Sequence, residues 1–267
     1  VVKMDKIEAI FYIEGLSNDK KALESAVENI VKELKGENLV EVLEINPEDI
    51  MEGEGVLKYS AVIEAKVRGT FEGVVNAVLK YGPAIVEVLA PGKIELDSKS
   101  LMKILGDVSL VMGKLMNKFG SLAAYPDLSE VPEPRIGYSR EEIESLILDD
   151  RYIRYRLVIE VSGKDRASVE ETMKKALSLE GCLINVMALE GSEEDGEFKG
   201  LLAVELLSNF ETLFQLVGKY APVAISILEP EIIDVTAGEL QNTLTDLGGF
   251  VNELTSRPVK KALMSNQ

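Results

Sequence analysis

The sequence predicts an α+β protein in which one βαββαβ unit is written twice in tandem, each copy followed by an extra C-terminal helix. Three observations carry this. A chain of 267 residues has room for about two domains. The chain matches itself without a gap from Thr70 to Leu115 when Phe71 is laid on Phe210: Glu72, Val78, Lys80, Tyr81, Pro83, Leu89, Pro91, Ile94, Leu101, Leu105, Asp107 and Leu115 fall on identical residues. Two prolines and a tyrosine are among the matches, so apolar periodicity alone does not produce them. Finally, hydrophobic spacing alternates between strand-like and helix-like in the same order in both copies.

In the first copy, Lys6 to Glu14 alternates, with Ile7, Ala9, Phe11 and Ile13 on one face, as a half-buried strand does. Asp19 to Leu34 has helical spacing, with Leu23, Val27, Ile30, Val31 and Leu34 on one stripe. Leu39–Ile45 and Leu57–Val67 read as strands around an acidic turn, and Phe71–Lys80 as a helix ended by Gly82-Pro83. Ala84–Leu89 is a buried strand, and Ser98–Phe119 a third helix. The second copy repeats the order, with strands near Arg154–Val161, Leu183–Leu189, Phe198–Leu207 and Val223–Leu228 and helices near Ala167–Leu177, Phe210–Lys219 and Ala237–Thr255. The first strands align Phe11, Ile13 and Gly15 with Ile159, Val161 and Gly163. This order is that of a ferredoxin-like unit.

The expected division is residues 1–122 as unit 1, a Pro-rich linker over 123–138 with Pro126, Pro132 and Pro134, and residues 139–267 as unit 2. Ser139-Arg140-Glu141-Glu142 is a capping box that starts a short helix. The third-helix stripes, Leu101 to Phe119 and Leu240 to Leu254, are broad enough to cover a sheet face or to pair two copies, and a homodimer is expected.

Composition narrows the chemistry. A net charge of −17 argues against a surface that coats DNA or RNA broadly, because phosphate neutralisation dominates such affinity. With no His, imidazole triads and His metal sites are excluded. The single cysteine, Cys182, permits no internal disulfide and reads as a core residue. No phosphate loop, dinucleotide fingerprint, GxSxG or HExxH occurs, so a non-enzymatic protein without a cofactor is expected. No apolar run reaches a membrane span, and Val1 to Asp5 carries no signal-peptide pattern, so a cytoplasmic location is expected. Abundant Glu and Lys with few Gln suggests a thermophilic source. The acidic tips, Glu190 to Glu197 and Glu48 to Glu54, read as solvated hairpins rather than cation sites.

Arginine is placed unevenly. Arg68 is the only one before position 135, and Arg135, Arg140, Arg151, Arg154 and Arg156 follow closely. Alternation puts Tyr152, Arg154 and Arg156 on one strand face and Ile153, Tyr155 and Leu157 on the other. Arg151, Tyr152, Arg154 and Arg156, with Arg257, Lys260 and Lys261 in the tail, are the candidate contacts for a macromolecular partner such as the ribosome or another nucleoprotein. Glu141, Glu142, Glu144, Asp149 and Asp150 lie in the same stretch, so structural ion pairs explain the arginines equally well.

A second reading rests on Val161-Ser162-Gly163-Lys164-Asp165-Arg166-Ala167-Ser168-Val169, which resembles the start of an ACT-type regulatory domain. In that family the loop after the first strand binds small effectors between paired domains. The resemblance implies an effector sensor with contacts at Gly15, Gly163, Asp165 and Arg166. A plain strand-to-helix turn with Asp165 or Ser168 as N-cap fits the same residues.

Overall fold

The computed structural model describes residues 6–123 and 127–264; Val1 to Asp5 and Pro126 of the linker lie outside the described residues. The fold is α+β with antiparallel sheets, as expected. The first sheet is built from β1 (Ile7–Ser17), β2 (Glu41–Pro47), the short β3 (Met51–Glu52), β4 (Tyr59–Gly69) and β5 (Ile85–Ala90), with α1 (Lys20–Lys35) and α2 (Phe71–Tyr81) between strands. Its order is β2-β4-β1-β5. The chain then makes β6 (Lys93–Asp97), α3 (Ser98–Phe119) and α4 (Arg140–Leu148). The second sheet contains β7 (Ile153–Gly163), β8 (Leu183–Glu194), β9 (Glu197–Ser208) and β10 (Ala224–Glu229), with α5 (Arg166–Leu179) and α6 (Phe210–Tyr220). Its order, β10-β7-β9-β8, is the same as that of the first. β11 (Ile232–Thr236) and α7 (Ala237–Met264) end the described chain, and β11 pairs with β6 in a two-stranded ribbon. Neither ribbon strand was expected, although Lys93 to Asp97 alternates at every position, because each is only five residues long and follows directly on a Pro turn.

The core faces are those the alternation predicts. Ile7, Ala9, Phe11 and Ile13 are buried, as are Ile153, Tyr155, Leu157 and Ile159. Tyr155 lies wholly inside, its hydroxyl 2.7 Å from Ser208 Oγ, and Cys182 is buried beside it. Ser139 caps α4 with both bonds of the capping box. One alignment is corrected. Phe11 faces Val86 and Leu157 faces Ile225, and Val86 and Ile225 are equivalent in the repeat, so Phe11 corresponds to Leu157 rather than Ile159. The helix N-caps Asp19 and Asp165 follow the same two-residue correction.

The compact units depart from the contiguous division at the third helices. Unit 1 comprises residues 1–94, 115–120 and 235–267; unit 2 comprises 95–114 and 121–234. Most of α3 therefore belongs with the second sheet and α7 with the first. In unit 1, α7 lies along β5: Val86 N donates to Thr245 Oγ1 at 3.1 Å and Val88 N to Gln241 Oε1 at 3.0 Å. Gly248 permits the approach, since a Cβ there would meet Pro83 O at 2.2 Å. In unit 2, Ser109 of α3 donates to Pro222 O at 2.6 Å. Pro83 and Pro222, like Gly248 and Ser109, are equivalent in the repeat, so each third helix takes the same seat on the other copy's sheet. The helices close the β5 side of unit 1 instead of covering a sheet face, because an edge strand's unpaired N–H groups need partners. The outer face of each sheet is left half-exposed: Ile10 and Tyr12 in unit 1, Val158 and Ala203 in unit 2.

Candidate functional site

The outer face of the unit 2 sheet gathers most of the arginine cluster. Arg156 sits directly opposite Glu205 on β9, and Arg154 opposite Glu229 on β10. Arg154 Nε donates to Glu205 Oε1 at 2.7 Å and its Nη1 to Glu229 Oε2 at 3.0 Å. Arg156 Nε donates to Glu205 Oε2 at 2.9 Å, and Asn185 Nδ2, on a bulge of β8, donates to Oε1 at 2.8 Å. Arg140 on α4 clamps Glu229 through both terminal nitrogens, at 2.9 and 2.8 Å. Glu205 is 3% exposed. Burial alone pushes its pKa up, but the bonds from Asn185, Arg154 and Arg156 outweigh this and hold it below the ordinary carboxylate range. At Glu229 the Arg140 clamp leads, and it too is lowered.

Ion pairing therefore accounts for much of the arginine cluster. Arg154 and Arg140 are spent on carboxylates, and Arg135 forms a bidentate pair with Glu142 while lying over the Tyr138 ring. Arg151, at φ 58, donates to Asp234 O at 2.7 Å. Tyr152 precedes β7 rather than lying in it, with its N–H on Leu146 O. Arg156 differs. Its side chain is 61% exposed, and among the described residues only its Nε is engaged. Arg257, Lys260 and Lys261 belong to unit 1, on α7, so they do not join the sheet cluster within one unit. Arg257 Nη1 donates to Phe119 O, and Lys260 pairs with Glu253.

Next to Arg156 the sheet is flat. Ala188, Ala203, Val158 and Ala224 stand in one row across β8, β9, β7 and β10. Val186 and Leu201 flank the row and are about half-exposed. Small side chains leave the backbone within reach of a ligand, and the Glu205 network fixes Arg156 at the margin.

The effector residues have structural roles. A Cβ on Gly15 would meet Leu23 at 2.9 Å, and one on Gly163 would meet Val169 at 2.6 Å, so both glycines let the first strand run close to the helix. Asp165 caps α5 by accepting from Ser168 N at 2.8 Å, and Arg166 donates to Leu189 O at 2.6 Å. Sequence reasoning missed Glu205, Glu229 and Asn185. One signal existed: Glu205 is a lone acid within the apolar run Leu201 to Leu207. Among the described residues no cluster of three or more potential metal ligands occurs, and no helix is long and apolar enough to cross a membrane.

Comparison with known proteins gives three findings. A solved structure titled as a putative glycine cleavage system transcriptional repressor aligns over 86% of this chain and 98% of its own, at 6% identity and a TM-score of 0.20. Protein MJ0538 of Methanocaldococcus jannaschii is 30% identical over 259 residues, spanning 94% of this chain and 97% of that protein. The model of the MJ0538 family matches residues 8–261, from the first strand through the tail of α7. That span contains both sheets, both exchanged helices and the whole Arg–Glu network, and the chain belongs to the MJ0538 family.

Proposed function

We propose that the protein is a non-enzymatic interaction factor that acts by docking on a macromolecular partner, with the outer face of the unit 2 sheet as its contact surface. The observation that carries this is Arg156: an exposed guanidinium tethered by a buried carboxylate beside a flat row of small side chains. A guanidinium held in this way presents two parallel donors to a phosphate or carboxylate at little further entropic cost. A phosphate-bearing particle such as the ribosome, or another nucleoprotein, suits it. The −17 charge of the chain repels such a particle elsewhere, so contact is local and salt-sensitive. The partner is met by a homodimer whose pairing leaves this face open.

Co-sedimentation with purified ribosomes tests the reading. Binding is expected at low ionic strength, with loss in Arg156→Glu and weakening in Ala203→Tyr, which raises a ring in the flat row. Light scattering on the same samples reports the dimer. No co-sedimentation of the wild type at low salt, or binding indifferent to Arg156→Glu, overturns it.

A further inference from the structure

The outer edges of the two sheets differ. In unit 2 the edge strand β8 is covered by the end of the linker. Ile136 bridges Ile184 in parallel, Gly137 N donates to Ile184 O at 3.0 Å, and Tyr138 N donates to Asn185 Oδ1 at 2.9 Å. In unit 1 the edge strand β2 has the same bulge in the same register. Val42 faces Val67 and Glu44 faces Lys66, as Ile184 faces Leu206 and Val186 faces Glu205. Val42 therefore stands where Ile184 stands, and Leu43 where Asn185 stands. Among the described residues no segment bridges Val42. Instead β2 borders a groove of about 540 Å³ lined by Leu34, Glu37, Glu41, Val42, Leu43 and Ile45.

An open strand edge is a template for another strand, because its outward N–H and C=O groups lack partners. Ile184 O turns away from β9 to accept Gly137 N, so Val42 at the matching position turns its backbone outward too. The rim carries Glu41 and Glu44 against Lys35, which favours a basic visitor. The linker shows the mode of recognition: Pro132 and Pro134 keep it extended, Arg135 precedes the bridging Ile136, and Gly137 gives its N–H.

We propose that the free edge of β2 docks an extended segment of another protein, a basic residue followed by a branched apolar one, added parallel to β2 as residues 135–138 are added to β8. The segment is not the linker of a second copy, since that linker is held on its own β8 at a high effective concentration. The proposal lies in a different unit from Arg156 and does not rest on the docking reading above.

The probe is a fluorescein-labelled peptide with the sequence of residues 131–138, with a scrambled peptide as control, titrated into the full chain and followed by anisotropy and amide NMR. Saturable binding of the probe alone is expected, with shifts confined to Glu41–Ile45 and the end of α1. Val42→Pro removes an outward N–H while sparing the bonds to β4 and weakens binding by roughly tenfold. Glu44→Lys, an edge-blunting charge that leaves the backbone intact, weakens it as well, so the test survives if Val42→Pro melts the sheet. Overturning results are no saturation beyond the scrambled control, shifts that map to β8, affinity unchanged in Glu44→Lys, or a dimer formed by linker exchange.

Discussion

The two units share their strand order, their bulge on the outer edge strand and the seat of the third helix, yet their outer faces are written differently. In unit 1, Glu8 accepts from Lys66 at 2.9 Å and Arg68 at 3.1 Å. At the corresponding places in unit 2, Arg154 donates to Glu205. The cross-strand ion pair is kept and its polarity reversed. The row beside it diverges further. Asn46, Glu64, Tyr12 and Ile85 in unit 1 correspond to Ala188, Ala203, Val158 and Ala224 in unit 2. Helix seats and core faces are constrained by packing, where a methylene is felt. The outer faces are freer to differ: that of unit 2 carries a row of small side chains with Arg156 at its margin, while that of unit 1 is bulky and acidic. The α1–α2 tie belongs to the shared part: Lys80 pairs with Glu37 in unit 1 and Lys219 with Glu180 in unit 2.

The largest test of this contrast compares the two ion pairs. Glu205→Gln leaves Arg154 half-buried against a neutral amide, and a loss of about 3–5 kcal/mol in urea unfolding is expected. Glu8→Gln, on a more open and solvent-screened pair, should cost clearly less. Equal losses would break the distinction between a structural network and a surface pair. The next is the acid limb of stability. Glu37 is buried, which raises its pKa, but Lys80, Tyr81 and two backbone N–H groups pull it down to about 2. Its folded pKa lies below the ordinary 4.5, so its stabilisation is present above that value and lost as pH falls from about 4.5 towards 2. Glu37→Gln should cost about 2–3 kcal/mol at neutral pH and flatten the pH dependence across that window. The smallest effect has the opposite sign. Gly82 ends α2 at φ 52, and its counterpart Ala221 ends α6 at φ 42, in the left-handed region. Ala221→Gly should raise unit 2 stability by about 1 kcal/mol, read as a higher melting temperature; no gain would mean that the freedom glycine adds to the unfolded chain offsets the relief of strain.

The repeat, the order of elements and the buried faces were legible because they are carried by local periodicity and by identities such as Tyr81 with Tyr220. The exchange of α3 and α7 was not. Both helices bear the same kind of apolar stripe, and nothing in Leu101 or Leu240 states which sheet receives it. The arginine cluster was visible, but its partners were not, because Glu205 and Glu229 reach Arg154 only through strand registers that the sequence leaves open. A two-residue slip in the first strand, Phe11 on Ile159 instead of Leu157, has the same cause: alternation fixes the face and not the step along it. The role of Gly163 stayed open for a related reason, since a glycine required for close approach and one required for a ligand look alike in sequence.

The exchanged helices also set a timetable for synthesis. The amides of Val86 and Val88 find their acceptors on residues 245 and 241, more than half the chain later. At an elongation rate of about 5–20 residues per second, the margin of the first sheet stays uncovered for roughly ten to thirty seconds after it leaves the exit tunnel. A newborn chain thus spends that interval as an unfinished sheet, and a chain cut short before α7 never completes it.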